Sequence, residues 1–307
     1  FRWFSSGDGL HWLPGRQPDM GTYTLVYDEH DPDPQRRYKA ALPPRGFAVS
    51  ADGNHWSMLP DVPGVPCGDE ANFSYDLQSG RFLLTVKIGG PHGRSVGLAT
   101  SEDFQNWTNH GLIFHADDED QKVGRQAIAG RLADPSFLPP YNKPDPAVFN
   151  VDVYNMGIFR YEGLYIGMPS MYHAISPVPN YSNTEGFHLV HLASSRDLQK
   201  WIRHGDRRPF IGSSRIGSGA YDLTQILGPS DAVRRGDELW FYYTGIKYRG
   251  GMVMKDGKRV PGPGFKPDRD SGAICLAVLR RDGFISLDAT DTPGFVRTQP
   301  FTVPGSQ

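Results

Sequence analysis

The stretch Ser50-Ala-Asp52-Gly-Asn-His-Trp56 decides the fold, because it recurs along the chain. The other copies are Ser6-Gly-Asp8-Gly-Leu-His-Trp12, Ser101-Glu-Asp103-Phe-Gln-Asn-Trp107, Ser195-Arg-Asp197-Leu-Gln-Lys-Trp201 and the weaker Arg280-Arg-Asp282-Gly-Phe-Ile-Ser286. In a tight turn Asp accepts backbone hydrogen bonds, Gly permits a positive φ, and Trp packs at the start of the next strand. The starts at residues 6, 50 and 101 match a propeller blade of about 40–50 residues.

Strand patterns around each copy complete a blade. Each turn is preceded by an apolar segment, the predicted third strand of the blade, at 46–50, 95–101, 187–195 and 273–279. Each third strand is in turn preceded by an aromatic-rich segment, the predicted second strand, at 37–42, 81–87, 164–168 and 238–244. Inner strands are expected at 22–27, 70–75, 151–159 and 223–232. The sequence therefore predicts an all-β, five-bladed β-propeller with four antiparallel strands per blade and a first blade that is only partly present. A β-sandwich is disfavoured because it lacks a repeated turn with a fixed Trp.

Composition excludes several classes of partner. The formal net charge is −2 and no long run of Lys or Arg occurs, which argues against nucleic acid. The longest apolar stretch, 273–279, is far shorter than the roughly 20 residues that span a bilayer, which argues against a membrane partner. The acidic run Asp117-Asp-Glu-Asp120 lacks the alternating spacing and Gly of a calcium loop, so we interpret it as a solvated loop. We expect no metal and no other cofactor.

The turn Ser-x-Asp-Leu/Phe-x-x-Trp after an apolar strand resembles that of glycoside hydrolase families 32 and 43. The likeness is greatest to bacterial family-32-like proteins, through Arg37-Tyr-Lys39, residues 154–167 and Gly236-Asp-Glu-Leu-Trp-Phe-Tyr-Tyr243. It implies a catalytic propeller over residues 1–290 that hydrolyses a glycosidic bond in an oligo- or polysaccharide. It also implies that residues 291–307 are a C-terminal extension or a link towards a β-sandwich. A secreted or periplasmic location follows from such a substrate.

Glycoside hydrolysis needs one carboxylic acid to protonate the leaving oxygen and one carboxylate to attack or to activate water. Asp69, Asp152 and Asp222 stand at the starts of inner strands, beside apolar stretches where a solvated charge is out of place. We predict that these three are catalytic. Asp222, within Gly219-Ala-Tyr-Asp222, corresponds to a Gly-Ser-Trp-Asp stretch of the similar bacterial proteins. A turn-capping role is the alternative for Asp69 and Asp152.

Neighbouring polar and aromatic residues are predicted to bind the sugar. Asn72 lies three positions after Asp69 and is suited to form a hydrogen bond with a sugar hydroxyl at the same opening of the expected central pocket. Glu70 faces the other side of a regular strand. Tyr172 and His173 end a second strand and can reach the rim of the pocket. The predicted substrate-binding residues are Glu70, Asn72, Lys87, Tyr154, Tyr172 and His173.

Two other functions stay open at this point. A glycoside phosphorylase on the same fold would combine one acid with several Arg or Lys side chains that bind phosphate. A non-catalytic carbohydrate-binding propeller would keep aromatic platforms and lack two opposed carboxylates. Neither the sugar nor the linkage can be deduced from the sequence, because both depend on loop shape.

Overall fold

The computed structural model describes residues 2–22, 24–42, 45–60, 64–65, 69–262, 265–266, 268, 270–288, 290–298 and 300. The described chain begins with two paired strands, β1 (Phe4–Ser5) and β2 (Leu13–Pro14). The first blade follows, with its strands adjacent in chain order: β3 (Thr24–Tyr27), β4 (Tyr38–Ala41), β5 (Phe47–Ser50) and β6 (Ser57–Met58). The second blade repeats that order: β7 (Ala71–Asp76), β8 (Arg81–Gly90), β9 (Gly93–Ser101) and β10 (Trp107–Phe114).

The third and fourth blades are elaborated. After helix α1 (Asp118–Ala133), the third blade contains β11 (Asn150–Tyr161), β12 (Leu164–Pro177), β13 (Thr184–Val190), β14 (Ala193–Ser195) and β15 (Ile202–Arg203). The fourth contains β16 (Gln225–Leu227), β17 (Val233–Arg235), β18 (Glu238–Ile246) and β21 (Gly272–Arg280), with a separate hairpin of β19 (Met252–Lys255) and β20 (Lys258–Pro261). Short 3₁₀-helices cover Pro34–Arg36, Pro146–Val148 and Gly205–Arg207.

The blades form a propeller arrangement in which each packs against the next. Inner strand β7 lies beside β3 on one side and β11 on the other, and β13 lies beside β16. Apolar clusters fill the spaces between the first and second, second and third, and third and fourth blades. Polar side chains also join blades, since Thr85 Oγ1 donates to Met156 O at 2.6 Å and Ser170 Oγ to Ile226 O at 2.7 Å.

The prediction of five blades is wrong for the described residues, which form four blades of four or more strands. The start of the chain supplies only the β1–β2 pair, and this pair bridges the first and last blades. Trp3 Nε1 donates to Gly53 O at 2.7 Å in the first blade, and Tyr242 OH of the fourth donates to Gly9 O at 2.8 Å. Residues 290–298 contain no helix or strand. Residues 301–307, in the predicted extension, lie outside the described part.

The repeated turn is confirmed in atomic detail. In the copy at 101–107, Ser101 Oγ accepts from Phe104 N at 2.9 Å, and Asp103 Oδ1 accepts from two backbone N–H groups at 2.8 and 2.7 Å. The same bonds occur in the copies at 6, 50 and 195. The fourth residue of each has a positive φ; two are Gly, and the others are Phe104 at 59° and Leu198 at 65°.

Two local expectations are wrong. The acidic run is the start of α1, not a solvated loop: Asp117 caps the helix reciprocally with Asp120, and buried Asp120 pairs with Arg203 at 2.8 Å and Arg207 at 2.6 Å. Acidic residues favour this position because the helix N-terminus carries partial positive charge.

The inner strand expected over 223–232 is also interrupted. Strand β16 stops at Leu227, and the backbone that follows packs against β11 at Gly157. A side chain at Gly157 would put its Cβ 1.9 Å from Pro229 O, so glycine allows this close approach.

Candidate active site

The candidate site lies where the inner strands of the second and third blades begin. Asp69 and Glu70 precede β7, Asp152 and Tyr154 lie early in β11, and these residues meet side chains from four further segments. We define the carboxylate–arginine cluster as Asp69, Glu70, Lys87, Arg94, Asp152, Tyr154, Tyr172 and Arg249. Six of these eight were predicted from the sequence.

Asp152 is a buried carboxyl with one cationic partner. Its residue is 7% exposed, and Arg94 Nε donates to its Oδ2 at 2.8 Å. The other oxygen, Oδ1, is buried and has no hydrogen-bond partner among the described residues. Burial raises the pKa of Asp152 above its usual value, although Arg94 opposes the shift. A carboxyl with one free oxygen is available to a ligand.

Glu70 is the carboxyl of the cluster that takes part in no ion pair among the described residues. It accepts a hydrogen bond of 2.8 Å from Tyr154 OH. Burial raises the pKa of Glu70, and the bond from Tyr154 opposes the shift. Burial, followed by the Glu70 charge, raises the pKa of Tyr154 to about 12, so Tyr154 stays protonated and continues to donate.

Asp69, unlike Glu70, is an exposed carboxylate with a cationic partner. Its side chain is 75% exposed and forms an ion pair with Lys87 Nζ. The hydrogen bond from Lys87 lowers the pKa of Asp69, against the effect of partial burial. Asp69 is therefore suited to remain ionised and to hold Lys87, and it is poorly suited to deliver a proton at neutral pH.

Three cations surround two tyrosine rings. The guanidinium of Arg94 lies 5.0 Å from the ring centre of Tyr154 and 4.5 Å from that of Tyr172. The guanidinium of Arg249 lies 5.3 and 4.3 Å from the same two centres, and Lys87 Nζ lies 5.4 Å from Tyr154. Such cation–π contacts hold charged groups at defined positions. Among the described residues, Arg249 has no carboxylate in ion-pair contact, and its Nε is buried without a partner.

His188 adds an uncharged ring to this surface. It is fully buried, with its ring centre 4.8 Å from that of Tyr154 and 5.0 Å from that of Tyr172. Neither ring nitrogen has a hydrogen-bond partner in the part of the chain that the structure describes. Burial, followed by the nearby charges of Arg249 and Arg94, lowers the pKa of His188 well below its usual value. Arg94, His188 and Arg249 could not be predicted as site residues, because none lies in a recognisable motif.

The other three predicted site residues lie apart from the cluster. Asp222 Oδ2 accepts from Tyr243 OH at 2.7 Å, while its Oδ1 is buried and has no partner within the described residues. Asn72 Nδ2 donates to Ser230 Oγ at 2.9 Å. His173 stacks on Phe187 at 4.7 Å and lies beside Gly124 of α1, where an added Cβ would come to 3.4 Å from its Cδ2. Because Tyr172 and His173 are consecutive in β12, they point to opposite faces.

Two cavities adjoin the cluster. One of about 760 Å³ is lined by Asp69, Lys87, Arg94, Asp152 and Tyr172. The other, of about 330 Å³, is lined by Arg249 together with Arg131, Tyr141, Glu185, Tyr248 and Phe265. Both volumes fall in the range of small-molecule sites, roughly 300–1,000 Å³. Arg249 lies at the junction, since it contacts the cluster and lines the smaller cavity.

Neither a metal site nor a helix able to span a membrane was found in the described part of the chain. No group of three or more His, Cys, Asp or Glu side chains among the described residues is placed to hold a metal ion. None of the described helices has the length and apolar character needed to cross a membrane.

Comparison with known proteins yields structural similarity only. No family model and no curated protein matches the chain. A β-1,2-mannobiose phosphorylase from Listeria innocua, in complex with β-1,2-mannobiose, is 17% identical with a TM-score of 0.42, and the match covers 94% of this chain and 66% of that one. A structure named glycoside hydrolase is 13% identical with a TM-score of 0.45, covering 91% of this chain and 78% of that one.

A third structure belongs to the GH130 family of mannoside phosphorylases, which contains glycoside hydrolases that target β-1,2-mannosidic linkages in Candida mannan. It is 17% identical with a TM-score of 0.39, and the match covers 76% of this chain and 68% of that one. The particular resemblance to families 32 and 43 gains no support from these matches. At such identities and TM-scores the likeness carries no argument about activity, so a function has to be supported by the side chains themselves.

Proposed function

We propose that the chain is an enzyme that cleaves a glycosidic bond, with Glu70 as the general acid. One observation carries the proposal: among the described residues, Glu70 is the carboxyl of the cluster that forms no ion pair, and Tyr154 OH donates a 2.8 Å hydrogen bond to it. A carboxyl with a raised pKa keeps its proton closer to neutrality and can give it to a leaving oxygen. This role replaces the substrate-binding role that the sequence suggested for Glu70.

In the proposed reaction, Glu70 donates its proton to the glycosidic oxygen while the bond between that oxygen and the anomeric carbon breaks. A nucleophile attacks the anomeric carbon and supplies the electron pair of the new bond. In this proposal Asp152, to which Arg94 Nε donates at 2.8 Å, accepts a proton from that nucleophile or binds a sugar hydroxyl. Asp69 keeps Lys87 in position through their ion pair.

The nucleophile distinguishes two enzymes. Water would make the chain a glycosidase, and inorganic phosphate would make it a glycoside phosphorylase. Three cations, Lys87, Arg94 and Arg249, all lie within 5.4 Å of the Tyr154 ring centre. Such convergence favours phosphate, because Arg and Lys bind phosphate oxygens by charge-assisted hydrogen bonds. We therefore prefer the phosphorylase and retain the hydrolase as the second candidate.

A single experiment separates the two enzymes. The full chain is incubated with a panel of disaccharides and plant and microbial oligosaccharides, with and without inorganic phosphate, and products are followed by ³¹P NMR and reducing-sugar release. A phosphorylase forms a sugar 1-phosphate only when phosphate is present. Equal sugar release in both conditions, with no phosphorylated product, would identify a hydrolase.

The non-catalytic alternative requires its own control. Calorimetry with the same panel would reveal ligands that bind without being cleaved. Binding without any product, in either condition, would contradict an enzymatic role and favour a carbohydrate-binding propeller. A secreted or periplasmic location remains part of the proposal, because it follows only from the expected substrate.

A further inference from the structure

The guanidinium of Arg131 is a buried cation whose charge no described carboxylate balances. Arg131 lies in α1, is 7% exposed, and sits 4.8 Å from the ring centre of Phe137 and 4.6 Å from that of Phe187. Its Nη2 donates to Leu223 O at 2.7 Å, but the described acidic residues form no ion pair with it. Burial, and then the charge of Arg215, lowers the pKa of Arg131 to about 10. Such a cation is costly unless a ligand supplies the missing anion.

Arg131 lines the smaller cavity, where a second cation lies. The cavity has a volume of about 330 Å³, and Arg249 lines it too. The acidic side chain there is Glu185, and its oxygens are already occupied by the backbone of Tyr141 at 2.5 Å and by Asn142 at 2.7 and 3.0 Å. Glu185 thus holds the loop around Tyr141 in place, and the cavity keeps an excess of positive charge.

Aromatic rings form the walls of the same cavity. Phe265 lies edge-on to Tyr141 at 5.5 Å and to Tyr248 at 5.8 Å between ring centres. Aromatic faces bind the apolar faces of ring-shaped ligands, whereas a few charged groups fix their orientation. An aromatic cavity with two arginines therefore suits a ring that carries a negative charge.

We propose that this cavity is a subsite for a sugar unit that bears a carboxylate, such as a uronic acid, bound by Arg131 and Arg249. The proposal rests on the proposed function, because Arg249 joins the cavity to the cluster that would cleave the bond. A carboxylate suits two arginines, because the planar guanidinium can bind its two oxygens in parallel. The substrate would then be an acidic oligosaccharide, with the acidic unit next to the bond that breaks.

The test measures binding, which does not depend on turnover. Calorimetry or ligand-observed NMR is used with glucuronate and galacturonate, each beside its methyl ester, which keeps the size of the ligand and removes its charge. We expect at least one acid to bind the full chain at least about tenfold more tightly than its ester. Equal affinities of acid and ester, or no binding of either acid, would overturn the subsite. A glucose 6-sulfate that bound more tightly than both acids would overturn the assignment of a carboxylate.

Variants locate the binding site. Arg131→Gln should weaken binding of the acid about tenfold and leave that of the ester unchanged, whereas Arg125→Gln, an exposed position of the same helix, should change neither. An unchanged affinity in a folded Arg131→Gln variant would overturn the proposal. If that variant fails to fold, the affinities of the parent chain for each acid and its ester still test the subsite, because equal affinities would overturn it. Absence of cleavage by a chain that binds the acids would contradict the proposed function alone.

Discussion

Replacing Arg94 by Met removes the cation that Asp152 faces. Asp152 is 7% exposed, its Oδ1 has no partner in the described ranges of the chain, and its Oδ2 accepts from Arg94 Nε at 2.8 Å. The variant therefore leaves a buried carboxylate without its direct ion pair. Breaking a fully buried pair in this way costs about 3–5 kcal/mol. Because 21% of the Arg94 side chain is exposed, solvent screens the pair. We therefore expect the free energy of unfolding to fall by about 2 kcal/mol at pH 8.

The loss should depend on pH in a definite direction. Burial already holds the pKa of Asp152 above its unfolded value, and removal of Arg94 raises it further. Between the unfolded and the folded pKa the folded chain binds more protons, so the free energy of unfolding falls as pH rises through that window. The Arg94→Met penalty should accordingly be large at pH 8 and shrink towards pH 4, where the carboxyl is protonated in the folded state and about half protonated in the unfolded state.

Urea unfolding followed by tryptophan fluorescence at pH 4.5 and pH 8 measures this effect. Asp152→Asn removes the charge at nearly constant size, so the double variant Arg94→Met/Asp152→Asn should be more stable than Arg94→Met alone at pH 8. Arg125→Met, at an exposed position of α1, serves as the matched control. The reasoning would be refuted if Arg94→Met lowered the free energy of unfolding equally at both pH values. It would also be refuted if the double variant lost as much free energy of unfolding as the two single variants together.

Three further predictions concern the acid, the buried histidines and the repeated turn. Glu70→Gln should lower kcat by about 10²–10⁴ on any substrate found, without loss of thermal stability, while exposed Glu29→Gln changes neither; a fully active Glu70→Gln variant would contradict the assignment. Burial lowers the pKa of His173 to about 4 and of His191 to about 3, so the unfolded chain binds more protons below pH 6.5. Stability should then fall on acidification by roughly 1.4 kcal/mol per pH unit for each ring, and a urea series that is flat from pH 6.5 to 4.5 would disprove this. Asp103→Ala removes two caps of backbone N–H groups and should cost about 1 kcal/mol in urea unfolding, whereas a change within error of zero would show that the turn is held by other contacts.

The blades could be predicted because their pattern is local. Several observed strands have both ends within about two residues of the predicted ends, among them β4, β5, β7, β9 and β21. Strand β8 begins where predicted and extends further, to Gly90. The turn was recognisable from Ser, Asp and Trp alone, and its hydrogen bonds enforce a positive φ even at Phe104 and Leu198. Both side chains are buried, and their packing can offset the cost of that backbone conformation.

Helix α1 could not be predicted from the same kind of pattern. Its residues show little separation of polar and apolar faces, and two of its contacts come from far along the chain, where Arg203 and Arg207 bind Asp120. Long-range ion pairs leave no trace in a local pattern. The same holds for Arg94, Arg249 and His188, whose importance depends on the two tyrosines that they meet in space.

The position of Tyr154 shows why even a well-predicted strand gives an incomplete site. In β11, Val153 pairs with Met171 and Asn155 with Ser170, so Tyr154 is an extra residue that forms a β-bulge. The buried apolar side chains accordingly change phase, from Val151 and Val153 before the bulge to Met156 and Ile158 after it. A regular strand would continue the first phase and exchange the two faces beyond residue 154. Bulges near active sites re-aim side chains, and here the bulge residue carries the hydroxyl that holds Glu70 at 2.8 Å. The feature that positions the proposed acid is therefore an irregularity, which period-two alternation cannot reveal.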